Sequence, residues 1–129
     1  MEEPVQVNAA DALVELNDAF DRYEDALIHN KVDVLDELFW DDALTLRFGA
    51  RENLFGARQI QAFRASRPSV GLSRTIVERH IVTFGLAMGV ANITFVRSGE
   101  PRIGRQSQTW VKFADGWRVV SAHVSWMDA

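Results

Sequence analysis

The chain changes its hydrophobic period near residue 74. Before it, apolar residues recur three and four apart. After it come four long runs rich in Val, Ile, Thr, Phe and Trp: RTIVERHIVTF, LAMGVANITFV, RIGRQSQTWVKF and GWRVVSAHVSW. The short breaks FG, SGEP and ADG between them are hairpin signals. Helices followed by an antiparallel meander predict an α+β fold, with a cone-shaped curved sheet wrapped around the N-terminal helices. Gly85, Gly89 and Gly104 lie in or beside the strands and allow strong bending.

The helical front has three parts. Residues 9–29 predict a helix whose stripe is Leu13, Leu16, Phe20, Tyr23 and Leu27, with Asn8 as its cap and Asp11 three residues on. A short second helix is expected from Asn30, with Asp33 three residues later and Val34, Leu35, Leu38 and Phe39 inward. ALTLRFG then alternates, Leu44, Leu46 and Phe48 against Ala43, Thr45 and Arg47. GARQIQAFRASRP reads as a third helix with Ile60 and Phe63 inward, and Arg67 continues that stripe at its rim.

Composition narrows the function classes. A chain of 129 residues fits a single domain, residues 1–129. A net charge of −4 argues against nucleic acid. No window approaches the ~18 consecutive apolar residues of a membrane span. The start, MEEPVQVNAADAL, is acidic and lacks the apolar segment of a signal peptide, so a cytoplasmic protein is expected. Without cysteine, disulfide and thiol chemistry are excluded. The histidines at 29, 80 and 123 have no metal-ligand spacing, and no phosphate-binding glycine loop or nucleophile elbow is present, so neither metal nor cofactor is expected.

The last strand carries the polar residues of most interest. Plain alternation puts Trp117, Val119, Ser121, His123 and Ser125 on one side, apolar first and polar last, as in a pocket that tapers to a polar mouth. Arg118, Val120, Ala122, Val124 and Trp126 take the other side, an apolar face that calls for a second subunit. Taken alone, His123 and Ser125 read better as exposed polar residues of a sheet face. Across from His123 stands Gln108 if DG forms a two-residue loop, and Ser107 if the loop has three. Glu52 is expected to pair with Arg51 or Arg58, and the runs RYED and DELFWDD to be solvated faces.

The element order and the ending GWRVVSAHVS resemble the ketosteroid-isomerase and nuclear-transport-factor cone fold, in its SnoaL-like form. RFGARENLFGARQIQAFRASR and GRQSQTWVKFADGWRVVSAHVSWMDA resemble the AtzH-like branch of that superfamily. The resemblance implies an amidohydrolase of ureido-carboxylates. Its reaction would be decarboxylating hydrolysis of 1,3-dicarboxyurea to allophanate, a step in cyanuric acid and nitrogen catabolism, with a functional link to an amidase. It implies a catalytic pair at Tyr23 and Arg47. Arg67 (or Arg64) would hold a second carboxylate, and Gln108, His123 and Ser125 would bind the ureido group at the mouth. A homodimer through the outer sheet face is expected. The rival reading is a non-catalytic carboxylate-binding or accessory protein of a neighbouring amidase. A steroid- or polyketide-type isomerase or dehydratase ranks last, because few acids face inward.

Overall fold

The computed structural model describes residues 3–129. Its elements run α1 (Ala10–Ile28), α2 (Val32–Leu38), β1 (Leu46–Phe48), β2 (Asn53–Phe55) and α3 (Ala57–Ser66). Four long strands follow: β3 (Thr75–Phe84), β4 (Met88–Val96), β5 (Ile103–Phe113) and β6 (Gly116–Met127). The α+β architecture follows the expected order. The strands form one six-stranded curved sheet in the order β2-β1-β6-β5-β4-β3. β1 lies parallel to β6, and the other pairs are antiparallel. No helix among the described residues is long and apolar enough to cross a membrane.

Most of the α1 stripe does as its spacing predicts: Leu16, Phe20, Tyr23 and Leu27 are buried against the sheet, while Leu13 is only half-buried. Trp110, Phe95 and Val119 meet them from β5, β4 and β6, all fully buried. Gly104 is required here. A β-carbon on it would overlap the ring of Phe95, which packs flat against the bare backbone.

Both predicted caps are corrected. Neither α1 nor α2 has a side-chain cap. Asn8 and Asn30 instead take left-handed backbone conformations, φ 56° and 50°. The Asn8 carboxamide accepts from the Thr83 N–H at 3.0 Å, so it ties the N-terminal segment to β3 rather than closing the helix. The run after Gly49 also holds a strand, β2, whose three residues are too short to show a period.

One residue resets the face of β6. Phe113 pairs with Gly116 and Trp110 with Val119, but Thr109 pairs with Ser121. Val120 is therefore an extra residue, a β-bulge. The Trp40 N–H donates to the Val119 carbonyl at 2.9 Å beside it, and β1 pairs with β6 just beyond it. Trp117 and Val119 face the interior before the bulge; Ala122, Val124 and Trp126 do so after it. His123 and Ser125 are thereby turned to the outer face. Plain alternation placed them at a pocket mouth, and the bulge overturns that placement. It equally overturns the reading of Ala122, Val124 and Trp126 as a face awaiting a second subunit. The hairpin loop is Ala114–Asp115, and bulge and loop together bring Ser107, not Gln108, opposite His123.

Candidate functional site

The concave side of the sheet, closed by α1 and α3, gathers an unusual set of polar groups. Tyr23 stands at its centre on α1, buried at 6% exposure. Its ring lies 6.1 Å from Phe20, 6.3 Å from Phe39 and 6.4 Å, edge-on, from Trp110. Those contacts fix the ring while its hydroxyl remains the polar tip of an apolar stripe.

Five arginines approach this interior, and three of them, Arg64, Arg47 and Arg74, are already committed. Arg64 is 4% exposed, binds Asp36 at 2.6 Å and lies 4.7 Å over the Phe39 ring. Arg47, on β1, binds Glu52 at 2.9 Å and lies 5.3 Å from the Phe63 ring centre. Glu52 thus pairs with Arg47, not with Arg51 or Arg58. The bare backbone of Gly49 gives its carboxylate room, because a β-carbon there would overlap it. Glu52→Ala leaves the half-buried guanidinium unanswered and is expected to cost about 1–3 kcal/mol, read as a lowered Tm.

The other two arginines are not committed. Arg67, the residue that ends α3, buries Nε and Nη2 without a partner among the described residues, and Arg97, just past β4, buries Nε likewise. Burial, and then the charge of Arg64, hold the Arg67 guanidinium below its usual range, with Tyr23 opposing. Burial, and then Arg74, do the same at Arg97, with Glu24 and Tyr23 opposing. Both cations lie within electrostatic reach of Tyr23 and lack an anion of their own.

Two buried glutamines of β5 complete the set. Trp110 Nε1–H donates to the Gln108 side-chain oxygen at 3.0 Å, and Arg74 Nη1 donates to the Gln106 oxygen at 3.1 Å. Indole and guanidinium can only donate, so both amide orientations are fixed. Each glutamine is left with a buried NH₂ that has no partner among the described residues. With the arginine N–H groups, five buried nitrogen atoms in this interior lack an acceptor. Each such group costs about 1–3 kcal/mol until it is met. The interior suits a ligand rich in acceptors, a carboxylate above all.

Two acids expected as solvated supply this arrangement. Glu24, from RYED, holds Arg74 through two hydrogen bonds of 2.7 and 3.0 Å. Asp36, from DELFWDD, holds Arg64. Arg74, Arg97 and Gln106 were missed in the sequence. Counting by twos from buried Phe95 and Trp110 reaches Arg97 and Gln106, and was the available signal. Of the residues named from sequence, Tyr23, Arg47, Arg67 and Gln108 come together here. His123 and Ser125 do not: with Arg105 and Ser107 they line an outer recess of about 280 Å³. Another cavity, of about 430 Å³, has Asp36, Phe39, Trp40, Asp41, Asp115 and Arg118 in its lining but not Tyr23.

A family model described as AtzH-like matches residues 5–129. The chain belongs to the AtzH-like family. Among solved structures, this AtzH-like chain is similar to a protein of unknown function of the DUF3225 family from Pectobacterium atrosepticum. Identity is 55% over 95% of each chain, with a TM-score of 0.93. A cystatin-like fold protein from Burkholderia xenovorans is 35% identical, covering 97% of this chain and 98% of its own, also at TM-score 0.93. A nuclear transport factor 2-like superfamily protein from Salmonella enterica is 25% identical over 93% of both chains, at TM-score 0.72. No curated protein matches the AtzH-like chain.

Proposed function

We propose that the chain hydrolyses the C–N bond of a small ureido-carboxylate, and that its reaction is the decarboxylating conversion of 1,3-dicarboxyurea to allophanate. The observation that carries this reading is the set of unpartnered donors around Tyr23, of which Arg67 and Arg97 have no anion among the described residues. A ureido-dicarboxylate brings the acceptors those groups lack. Family membership points the same way.

On this reading Arg67 holds one carboxylate, and Gln108 donates to the ureido oxygen. Arg47, braced by Glu52, turns its remaining N–H groups to the same oxygen. The bond between a terminal carboxylate carbon and the ureido nitrogen breaks, and its electron pair stays on nitrogen. The Tyr23 hydroxyl gives that nitrogen a proton, CO₂ leaves, and water reprotonates the phenolate. With CO₂ taken up as bicarbonate, the net change is hydrolysis. His123 and Ser125, on the outer face, have no part in it.

The Arg47–Glu52 pair favours a second reading. An arginine already answered by an internal acid suits a protein that binds carboxylates for a neighbouring amidase without turning them over. The purified chain incubated with 1,3-dicarboxyurea separates the two. CO₂ release above the uncatalysed rate, inhibited by glutarate, is expected. Glutarate binding with no release leaves the binding protein.

A further inference from the structure

Resting on the reading that this interior takes a ureido-dicarboxylate, we propose that Arg97 and the Gln106 amide hold the second carboxylate, and that Glu24 positions Gln106 to do so. The argument begins at Glu24, one residue after Tyr23 on α1. Its two oxygens grip the Arg74 guanidinium, whose side chain is 2% exposed. A third N–H of Arg74 reaches the Gln106 oxygen at 3.1 Å. Arg74 also lies 4.4 Å from the Phe95 ring centre, so the guanidinium is held by an acid, an amide and an aromatic face. Every step of this chain is forced: the acid accepts, the guanidinium donates, and the amide oxygen must accept. What remains of Gln106 is a buried NH₂ with no partner among the described residues.

Arg97 is placed by the same aromatic wall. Its guanidinium lies 5.6 Å from the Phe95 ring centre and 5.7 Å from that of Trp126. The charge that acts on it most strongly is Arg74, the very group that holds Gln106. Its buried Nε has no acceptor. A cation and an amide donor thus stand on the β4–β5 side of Tyr23, while Arg67 stands at the end of α3. Tyr23 is the group that both arginines feel. A linear dianion with a carboxylate at each end fits that division, its middle presented to the tyrosine.

The test uses glutarate, a stable five-carbon dicarboxylate of the substrate's chain length, and pentanoate, which has one carboxylate fewer. Titration calorimetry on the intact chain is expected to show glutarate binding more tightly. Arg97→Gln should weaken glutarate about 10- to 100-fold and leave pentanoate within about twofold. Gln106→Glu keeps an acceptor for Arg74 but replaces the free donor with a negative oxygen, and should weaken glutarate at least as much. Glu24→Gln should weaken glutarate about 3- to 10-fold with pentanoate again little changed, a selectivity that mere loosening of the fold would not give. Equal wild-type affinity for the two acids overturns the proposal. So does glutarate binding undiminished in Arg97→Gln and Gln106→Glu, or lost equally with pentanoate. Failure of CO₂ release with the glutarate preference intact overturns the hydrolytic reading and leaves this subsite standing.

Discussion

Tyr23→Phe is expected to leave a folded protein whose CO₂ release falls by roughly 10²–10⁴-fold, the usual worth of a positioned proton donor. The substitution removes one oxygen from a ring whose packing against Phe20, Phe39 and Trp110 involves only its faces and edges. Thermal unfolding should therefore move little. Glutarate affinity should also hold within a few-fold, because the anion is gripped by guanidinium and amide groups rather than by the phenol. The informative result is the split: kcat lost, binding kept. Wild-type turnover in the folded variant would remove Tyr23 from the chemistry. Loss of glutarate binding in step with activity would recast it as a binding group.

Deleting Val120 is expected to abolish the stable fold. The residue carries no chemistry and is only half-buried, yet the parity of the last strand depends on it. Without it, every side chain after Val119 moves to the opposite face. Ala122, Val124 and Trp126 would turn to solvent, and His123 and Ser125 would point into a core with no partner for them. The parallel pairing of Arg47 with Ala122 would also turn β1 over or break it. Val120→Ala keeps the register and should cost about 1 kcal/mol, the ordinary price of a small truncation at a half-buried site. Circular dichroism and a denaturant titration would compare the two. A cooperative transition in the deletion variant near that of the wild type would show that the strand can slip without penalty.

That bulge also marks where the sequence stopped being legible. The α+β order, the stripe of α1 and the meander followed from period alone, because burial of one face imposes that period. Alternation held on β5, so Gln106 and Gln108 are inward and Ser107 outward, as RQSQ spells out. On β6 it failed, since nothing about a valine announces an extra residue. The bulge is fixed by what lies across from it, namely Trp40 and β1. The caps failed for a related reason. Asn favours both helix caps and left-handed turns, and at Asn8 a distant N–H on β3 decided between them. Glu24 and Asp36 sat in charged runs that look solvated until buried arginines from elsewhere in the chain reach them. Arg47, named from the sequence as half of a catalytic pair, proved to be answered by an acid five residues away.

The two glutamine oxygens already engaged by Trp110 and Arg74 have a bearing on the turnover cycle as a whole. On the proposed reaction, each round removes one terminal carboxylate as CO₂ and leaves the nitrogen that bore it as an NH₂. A wall that welcomes an incoming acceptor then confronts an outgoing donor, and like groups face one another. On this reading the Gln106 amide, which donates to the carboxylate of the substrate, meets no acceptor when that carboxylate has gone, and the loss of that bond favours release of the product.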